Sequence, residues 1–300
     1  MDDINIQKPE VPIIIIERDE QPQPRESVTK VVAPSKKWKW LKRILTLIVA
    51  ICCLAALFAG YQWWNYYYNI GVPVSVTPEQ NIEKLQKPVK HETPEVVMTS
   101  DSILGVAMDF YAIHGLKASI EFEEPDTADT SVYLYCRSAD HMADGKCIGS
   151  LVVNGEERQS DTHRLGYMAM LGGNSVIGIS RSEKVKEFVE ERGGSFFRQF
   201  LLVSNGVIPT HFYLHGKVER RAIGRIGDQL YFIATHHKET LWDFADALRE
   251  YGFIDAIYIT GGADYVFYRD KDGVRHDIGD TADYPHKKWK GIIPWLVFRK

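Results

Sequence analysis

A single uncharged run constrains this 300-residue chain more than any other feature. No Asp, Glu, Lys or Arg occurs between Ile44 and Pro78, and residues 44–60 are almost entirely apolar. A helix over residues 44–64 rises about 31 Å, which matches the thickness of the hydrocarbon core of a bilayer. A run of this length without a polar face is atypical of a helix in a soluble core. We therefore predict one membrane-spanning helix over residues 44–64, with the lipid bilayer as its partner.

The residues flanking this run predict its orientation. Five basic side chains precede it, whereas the next basic residue after it is Lys84. Basic residues beside a membrane span stay in the cytoplasm, so we expect a cytoplasmic N-terminus and an extracytoplasmic C-terminal domain. A bacterial inner membrane facing the periplasm is the expected setting. The basic residues are Lys36, Lys37, Lys39, Lys42 and Arg43, and Trp38, Trp40, Trp63, Trp64 and Tyr66 to Tyr68 suit the two membrane interfaces.

Composition divides the chain into four parts. Residues 1–35 hold five prolines and no glycine, which predicts a disordered cytoplasmic tail. Its one apolar run, Ile13 to Ile16, is either a strand that docks on a partner or a patch in a loose tail. Residues 36–64 form the basic flank and an uncleaved signal anchor, because the long polar lead does not fit a cleaved signal peptide. Residues 65–95 predict a semi-extended stalk, and residues 96–300 the extracytoplasmic domain.

The remaining composition excludes several classes of protein. A 45% hydrophobic chain with 25% charged residues supports a folded core, and a net charge of −4 does not favour nucleic acid as a partner. Four cysteines are too few for a disulfide framework, and we expect Cys136 and Cys147 to be separate buried thiols. We expect no cofactor and no metal, since the histidine pairs lack a ligand spacing and Asp270 to Gly273 suits a hairpin turn.

The extracytoplasmic part predicts an α+β domain with a mostly antiparallel sheet. Apolar segments of strand length are separated by turn dipeptides such as Asn154-Gly155, Asn205-Gly206 and Asp272-Gly273, whose residues tolerate positive φ. Asp144-Gly145 is a fourth dipeptide of this kind. The predicted strands are Ser131 to Arg137, Cys147 to Val153, Leu165 to Leu171, Val176 to Ser180, Gln199 to Ser204, Gln229 to Thr235, Phe253 to Ile259 and Tyr265 to Arg269.

Two helices are expected between these strands. Ser182 caps the first, which ends at Gly193-Gly194. Thr240 and Asp243 form a capping-box-like start of the second, and Gly252 ends it. The second helix leads into the strand FIDAIYIT and then the pair Gly261-Gly262. Paired glycines at a strand end let another group approach the backbone closely.

Three segments together resemble the phosphodiester glycosidase family. They are GSFFRQFLLVSNG at residues 194–206, RRAIGRIGDQLYFIAT at 220–235 and ETLWDFADALREYGFIDAIYITGG at 239–262. The resemblance covers roughly residues 130–270 and rests on the order and spacing of the three motifs. It implies the family's α+β fold and cleavage of a sugar from a phosphodiester. Thr260 stands where the family's usual motif, Asp-Gly-Gly, has its acid, and Ala222 stands where Thr is usual.

The resemblance and the chemistry together select the candidate site residues. A phosphodiester carries a negative charge that guanidinium groups bind well, and cleavage of the glycosidic bond requires carboxyl groups within reach. Thr260 cannot supply a carboxylate, so another residue would have to replace the missing acid. The candidate substrate-binding residues are Arg198, Arg220, Arg221, Thr260, Gly261 and Gly262, and the candidate catalytic residues are Asp264, Asp140 and Glu219.

Two functions follow from these residues. The first is a membrane-anchored hydrolase that cleaves sugar phosphodiesters of envelope glycans. The second is a degenerate relative that binds an anionic glycan or an envelope protein but catalyses no reaction. The presence of Thr260 in place of the usual acid suggests this second function. The sequence identifies no protein partner.

Overall fold

The computed structural model describes residues 36–68, 76–89, 91–139, 146–161, 166–212, 214–262, 264–279 and 294–300. Asp140 and the turn Asp144-Gly145 lie outside them. The chain divides into two compact units, Met1–Ala56 and Leu57–Lys300. The described residues form four helices, namely α1 (Lys36–Tyr68), α2 (Pro78–Leu85), α3 (Lys184–Glu190) and α4 (Leu241–Tyr251).

The described residues also form sixteen strands. They are β1 (Glu95–Ile103), β2 (Val106–His114), β3 (Lys117–Glu121), β4 (Val132–Arg137), β5 (Leu151–Val153), β6 (Glu156–Gln159), β7 (Gly166–Leu171), β8 (Asn174–Ile179), β9 (Ser195–Gln199), β10 (Leu201–Val203), β11 (Arg220–Ile226), β12 (Gln229–Thr235), β13 (Asp255–Gly261), β14 (Val266–Arg269), β15 (Arg275–Ile278) and β16 (Trp295–Arg299).

Helix α1 contains the predicted membrane span. Over Lys37–Trp64 it is long and apolar enough to cross a bilayer. Its large apolar side chains are exposed, as Leu45 and Leu57 illustrate, which suits a helix surrounded by lipid rather than by protein. The helix is therefore consistent with a single-pass protein, and its orientation stays a prediction.

Helix α2 departs from the expected extended stalk over residues 65–95. Thr77 caps it through a capping box with Gln80, and Pro78 occupies its first turn. Asn81 and Leu85 are buried, and the Asn81 amide donates a 2.6 Å hydrogen bond to the Tyr167 hydroxyl. A helix packed on the domain thus replaces the predicted stalk over Pro78–Leu85. The sequence concealed it because the segment is short and largely polar.

All paired strands in the described residues are antiparallel and form three sheets. The first has the order β1-β2-β12-β11-β13-β10, the second β15-β14-β4-β16-β3, and the third β6-β5-β9-β7-β8. Helix α4 covers one face of the first sheet with Leu241, Phe244 and Leu248. The main apolar core contains side chains from all three sheets. The α+β prediction with mostly antiparallel pairing is confirmed.

The local predictions hold to within a few residues. Asn154, Gly155, Asn205 and Gly206 all have positive φ at turns. Thr240 caps α4 by accepting a hydrogen bond from the Asp243 N–H, and Gly252 ends the helix at φ 111°. The predicted cap of α3 is one residue off, because Glu183 holds the N-cap position without a side-chain hydrogen bond. The Ser182 hydroxyl instead accepts from the Lys184 N–H.

Candidate functional site

A β-bulge marks the end of the central strands of the first sheet. Arg220 pairs with Gly261 and Ala222 pairs with Tyr258, so three steps along β13 match two along β11. An extra residue of this kind bends the strand and redirects its side chains. Ile259 and Thr260 consequently lie opposite the single residue Arg221.

The paired glycines Gly261 and Gly262 follow this bulge and allow the start of β11 to approach the end of β13 closely. A side chain at Gly261 would collide with the Tyr258 hydroxyl and would lie 2.9 Å from the Glu219 carbonyl oxygen. Gly262 has φ +77°, and its N–H donates a 2.9 Å hydrogen bond to that carbonyl. Both positions therefore need glycine, one for space and the other for backbone conformation. The contact holds Glu219 beside the bulge.

A buried charged cluster lies around the bulge. Arg137, Arg221, Thr260 and Asp264 are each at most 4% exposed. The Arg137 Nε atom lies 3.3 Å from Asp264 Oδ1, which forms a buried ion pair. Burial lowers the pKa of Arg221, whereas the negative charge of Asp264 opposes that shift. The three charged groups thus occupy one low-dielectric region in which their mutual interactions are strong.

Several polar atoms of this cluster have no hydrogen-bond partner. They are Arg221 Nη1 and Thr260 Oγ1, judged against the residues that the structure describes; Asp264 Oδ1 makes no hydrogen bond there either, but it meets Arg137 in the ion pair. An unsatisfied buried polar group costs about 1 to 3 kcal/mol, so each such group in a folded protein calls for an explanation. A polar ligand with matching groups would satisfy Arg221 Nη1 and Thr260 Oγ1.

Cys136 packs beside this cluster as a neutral thiol. Burial raises its pKa far above the ordinary value, although the positive charge of Arg221 partly opposes the shift. Burial also raises the pKa of Cys147 to about 12. Both cysteines are free, in agreement with the prediction of separate buried thiols. Neither suits nucleophilic chemistry, which requires a thiolate.

A series of polar side chains begins at Tyr111, near Arg221, and ends at the surface with His236. Burial and the nearby Asp109 raise the pKa of Tyr111, whereas the charge of Arg221 lowers it. The Tyr111 hydroxyl donates to Asp109 Oδ2 at 3.4 Å, and His236 Nε2 lies 2.8 Å from Asp109 Oδ1. His236 is exposed. One signal in the sequence was the lone acid in the otherwise apolar strand VAMDFYAIH of β2.

The other two predicted arginines have protein partners. Arg220 donates to the carbonyl oxygens of Glu239 at 2.8 Å and Gly216 at 2.7 Å, and its guanidinium lies over the Tyr258 ring. Arg198 lies on β9 in the third sheet and is 1% exposed. Its guanidinium donates to Ser180 O at 2.6 Å and to Glu183 Oε1 at 2.8 Å. These bonds fasten β9 to the segment before α3.

The structure thus brings most of the predicted site residues to one end of β11 and β13. Arg198 is placed elsewhere, and Asp140 lies outside the described residues. No group of three His, Cys, Asp or Glu side chains suited to a metal ion occurs within the described residues. The residues at this end are Glu219, Arg220, Arg221, Thr260, Gly261, Gly262 and Asp264, of which Arg220 lies with Tyr258 on the face of the sheet opposite Arg221.

Two solved structures are similar to this chain at low sequence identity. The catalytic domain of zebrafish N-acetylglucosamine-1-phosphodiester alpha-N-acetylglucosaminidase, auto-inhibited by its pro-peptide, aligns with a TM-score of 0.49 and 10% identity, over 72% of this chain and 86% of that chain. A hypothetical protein from Synechocystis aligns with a TM-score of 0.48 and 10% identity, over 72% of this chain and 64% of that chain. No family model and no curated protein matches the sequence. At these values neither likeness assigns an activity to the chain.

Proposed function

We propose that the domain binds a sugar phosphodiester at Arg221 and hydrolyses the bond between the sugar and the phosphate, outside the membrane and on an envelope glycan. The observation that carries the proposal is the buried guanidinium of Arg221, whose Nη1 atom has no hydrogen-bond partner among the described residues and which interacts with the buried carboxylate of Asp264. A phosphate oxygen would accept from Nη1 with a charge-assisted hydrogen bond. The motif resemblance supplies the class of substrate.

The chemistry of the leaving group explains how hydrolysis could proceed without the usual acid at Thr260. Cleavage of the bond between the anomeric carbon and the phosphate oxygen expels a phosphate monoester, whose second pKa is only about 6. Such a group departs as an anion and needs little protonation. Arg221 would stabilise the charge that develops on it, as guanidinium groups do in phosphoryl transfer. The Thr260 hydroxyl would then bind the phosphate rather than transfer a proton.

The two carboxylates whose charges act on Arg221 would have different roles, one in stabilising the sugar and the other in activating water. Asp264, which pairs with Arg137, would stabilise the positive charge that develops on the sugar ring. Glu219 is half-buried, and its charge also acts on Arg221. We assign it to the activation of water, which donates its hydroxyl to the anomeric carbon and its proton finally to the solvent or the phosphate.

The test uses the full chain in lipid nanodiscs with the methyl phosphodiester of N-acetylglucosamine 1-phosphate as substrate. We expect release of N-acetylglucosamine, and a loss of kcat/KM of about 100-fold or more in Arg221→Met, the scale seen when one charge-stabilising donor is removed. Asp264→Asn should lose a similar amount. Arg225→Met is the matched control, since Arg225 lies on the same strand, is only partly buried and should be dispensable.

A binding module is the second candidate, and Thr260 in place of the acid is the observation that favours it. Binding of the diester by the wild-type chain, without release of sugar and with a dependence on Arg221, would support that candidate over hydrolysis. Absence of both binding and release would refute hydrolysis of the diester and its binding at Arg221. Arg221→Met leaves the buried Asp264 with less compensating charge, so thermal unfolding of the variant checks that it still folds before its kinetics are compared.

A further inference from the structure

A cleft lies where the chain between β10 and β11 meets the first turn of α4. It consists of two adjoining cavities of ≈ 330 Å³ and ≈ 470 Å³. Thr210 and Trp242 line both cavities, so the indole of Trp242 stands at the junction. We call this region the Trp242 cleft. Concave sites of this size with aromatic walls are typical of small-ligand binding.

Trp242 is presented to solvent on a fixed support. Its side chain is 46% exposed, which is unusual for so large an apolar ring on the folded domain. Phe212, itself buried, meets it edge to face with ring centroids 6.0 Å apart. Thr240 caps the helix turn that carries it. The indole is therefore a rigid apolar surface that the protein holds in contact with water.

The walls of the Trp242 cleft are tied to the first sheet. Gly216 and Thr240 line one cavity. Arg220 binds the Gly216 carbonyl on one side and the Glu239 carbonyl, next to Thr240, on the other. A β-bridge between Val218 and Glu239 adds a second link. The cleft is thus formed by the fold itself and needs little rearrangement to accept a ligand.

The charge of the residues that line the cleft indicates which class of ligand it can bind. Asp246 and Arg249 line the second cavity and form an ion pair with each other. Among the other described lining residues, only His211 and His215 have ionisable side chains. The lining thus combines an apolar ring with hydroxyl, imidazole and paired polar groups and has little net charge. A pyranose has the matching chemistry, since one ring face exposes C–H groups and its edge carries hydroxyls.

We propose that the Trp242 cleft binds an uncharged saccharide, with one pyranose ring stacked on the indole. It is a separate site from the Arg221 cluster. Side chains alternate between the two faces of a strand, and Arg220 lies with Tyr258 on the α4 face, so Arg221 points to the opposite face of the first sheet. The cleft would hold the domain on a glycan whether or not Arg221 supports chemistry.

The test measures saccharide binding to the full chain in lipid nanodiscs by isothermal titration calorimetry. The probes are the tetrasaccharides of N-acetylglucosamine, glucose in β-1,4 linkage, glucose in α-1,4 linkage and mannose. We expect at least one to bind, and Trp242→Ala to weaken that binding about tenfold, as expected for loss of an aromatic stacking partner. Trp242→Tyr, which keeps an aromatic surface, should lose less.

Two control variants separate this site from other effects. Val274→Ala changes an equally exposed apolar residue outside the cleft and should bind as the wild type does. Arg221→Met should also bind normally, so failure of the proposed hydrolysis and failure of the cleft remain distinguishable. Unchanged affinity in Trp242→Ala, provided it melts like the wild type, would overturn the proposal. So would a panel in which no tetrasaccharide binds.

Discussion

Two buried arginines of this domain differ in the hydrogen-bond acceptors around their guanidinium groups. Arg198 donates to two backbone carbonyl oxygens, of Ser180 and Ser182, and pairs with Glu183. Arg221 keeps the Nη1 atom without a protein acceptor among the described residues. Burial of a guanidinium is stable when its donors are satisfied and costly when they are not. The two arginines therefore differ in the acceptors that their terminal nitrogens meet rather than in their burial.

Arg198→Met should destabilise the domain without changing turnover. The substitution leaves the carbonyl of Ser180 and the carboxylate of Glu183 without their donor, and we expect a loss of about 2 kcal/mol in the free energy of unfolding. Urea unfolding measures that loss, and sugar release from the phosphodiester measures turnover. Arg192→Met, at an exposed arginine just after α3, should change neither quantity. A loss of turnover in a folded Arg198→Met variant would return Arg198 to the site.

Asp129 should make the stability depend on pH in the acid range. Its carboxylate accepts from the Ser131 N–H at 2.8 Å and pairs with Arg299, and these contacts lower its pKa from 3.8 to about 2. Because the folded-state pKa is below the unfolded one, this stabilisation is present above about pH 4 and is lost as pH falls towards 2.

Unfolding of the wild type and Asp129→Asn in urea, at a series of pH values from 5 to about 2, tests this expectation. The difference in the free energy of unfolding between the two chains should shrink as the pH falls. Asp101→Asn replaces an exposed carboxylate of β1 and serves as the control. A difference that stays constant across this range would contradict the assigned shift.

At the scale of elements, sequence patterns located the strands and helix ends that local residues define. They missed strands that depend on pairing with distant parts of the chain. β12, β13 and β14 and the end of α4 followed from apolar runs and glycine signals. β1 did not, because most of its residues are exposed and polar. β16 was missed too, since its five residues gain their place by pairing with β3 and β4 far away in the chain.

The residues of the candidate site also fall into two groups, those that lie on sequence motifs and those that only folding brings together. Arg221, Thr260 and Gly261 lie on motifs that are readable along the chain. Asp109 lies on β2 and His236 just after the end of β12, and only folding brings them together. The bulge on β13 is equally invisible in the sequence, because it arises from the register between two strands. A sequence therefore names the charged residues of such a site more readily than it identifies which of them meet.

The two helix caps provide a stability prediction at this scale. Thr240→Ala removes the hydroxyl that accepts from the Asp243 N–H, and the loss of such a cap costs about 1 kcal/mol. Ser182→Ala should cost less, because Ser182 precedes the N-cap residue of α3. Thermal unfolding of both variants beside the wild type measures the difference. Equal losses would mean that the Ser182 hydroxyl stabilises α3 as strongly as a true cap does.

For the whole molecule, we predict that the basic residues in the first turns of α1 determine on which side of a membrane the domain lies. Five basic residues lie at the start of α1, whereas the described residues after its apolar stretch carry none before Lys84. A glycan-directed activity requires the domain outside the cytoplasm. The basic residues predict this orientation, and the proposed function requires it. Neither one establishes the other.

Protease added to spheroplasts tests this orientation on a chain tagged at both ends. The wild type should lose its C-terminal tag and keep its N-terminal tag, because positive charge beside a span is retained in the cytoplasm. Replacing Lys36, Lys37, Lys39, Lys42 and Arg43 by Gln should give a mixed population, since the bias is then gone. Lys84→Gln with Lys87→Gln removes charge only on the far side and should leave the orientation unchanged. A wild type that keeps its C-terminal tag under these conditions would place the domain in the cytoplasm, where an envelope glycan is out of reach of both Arg221 and Trp242.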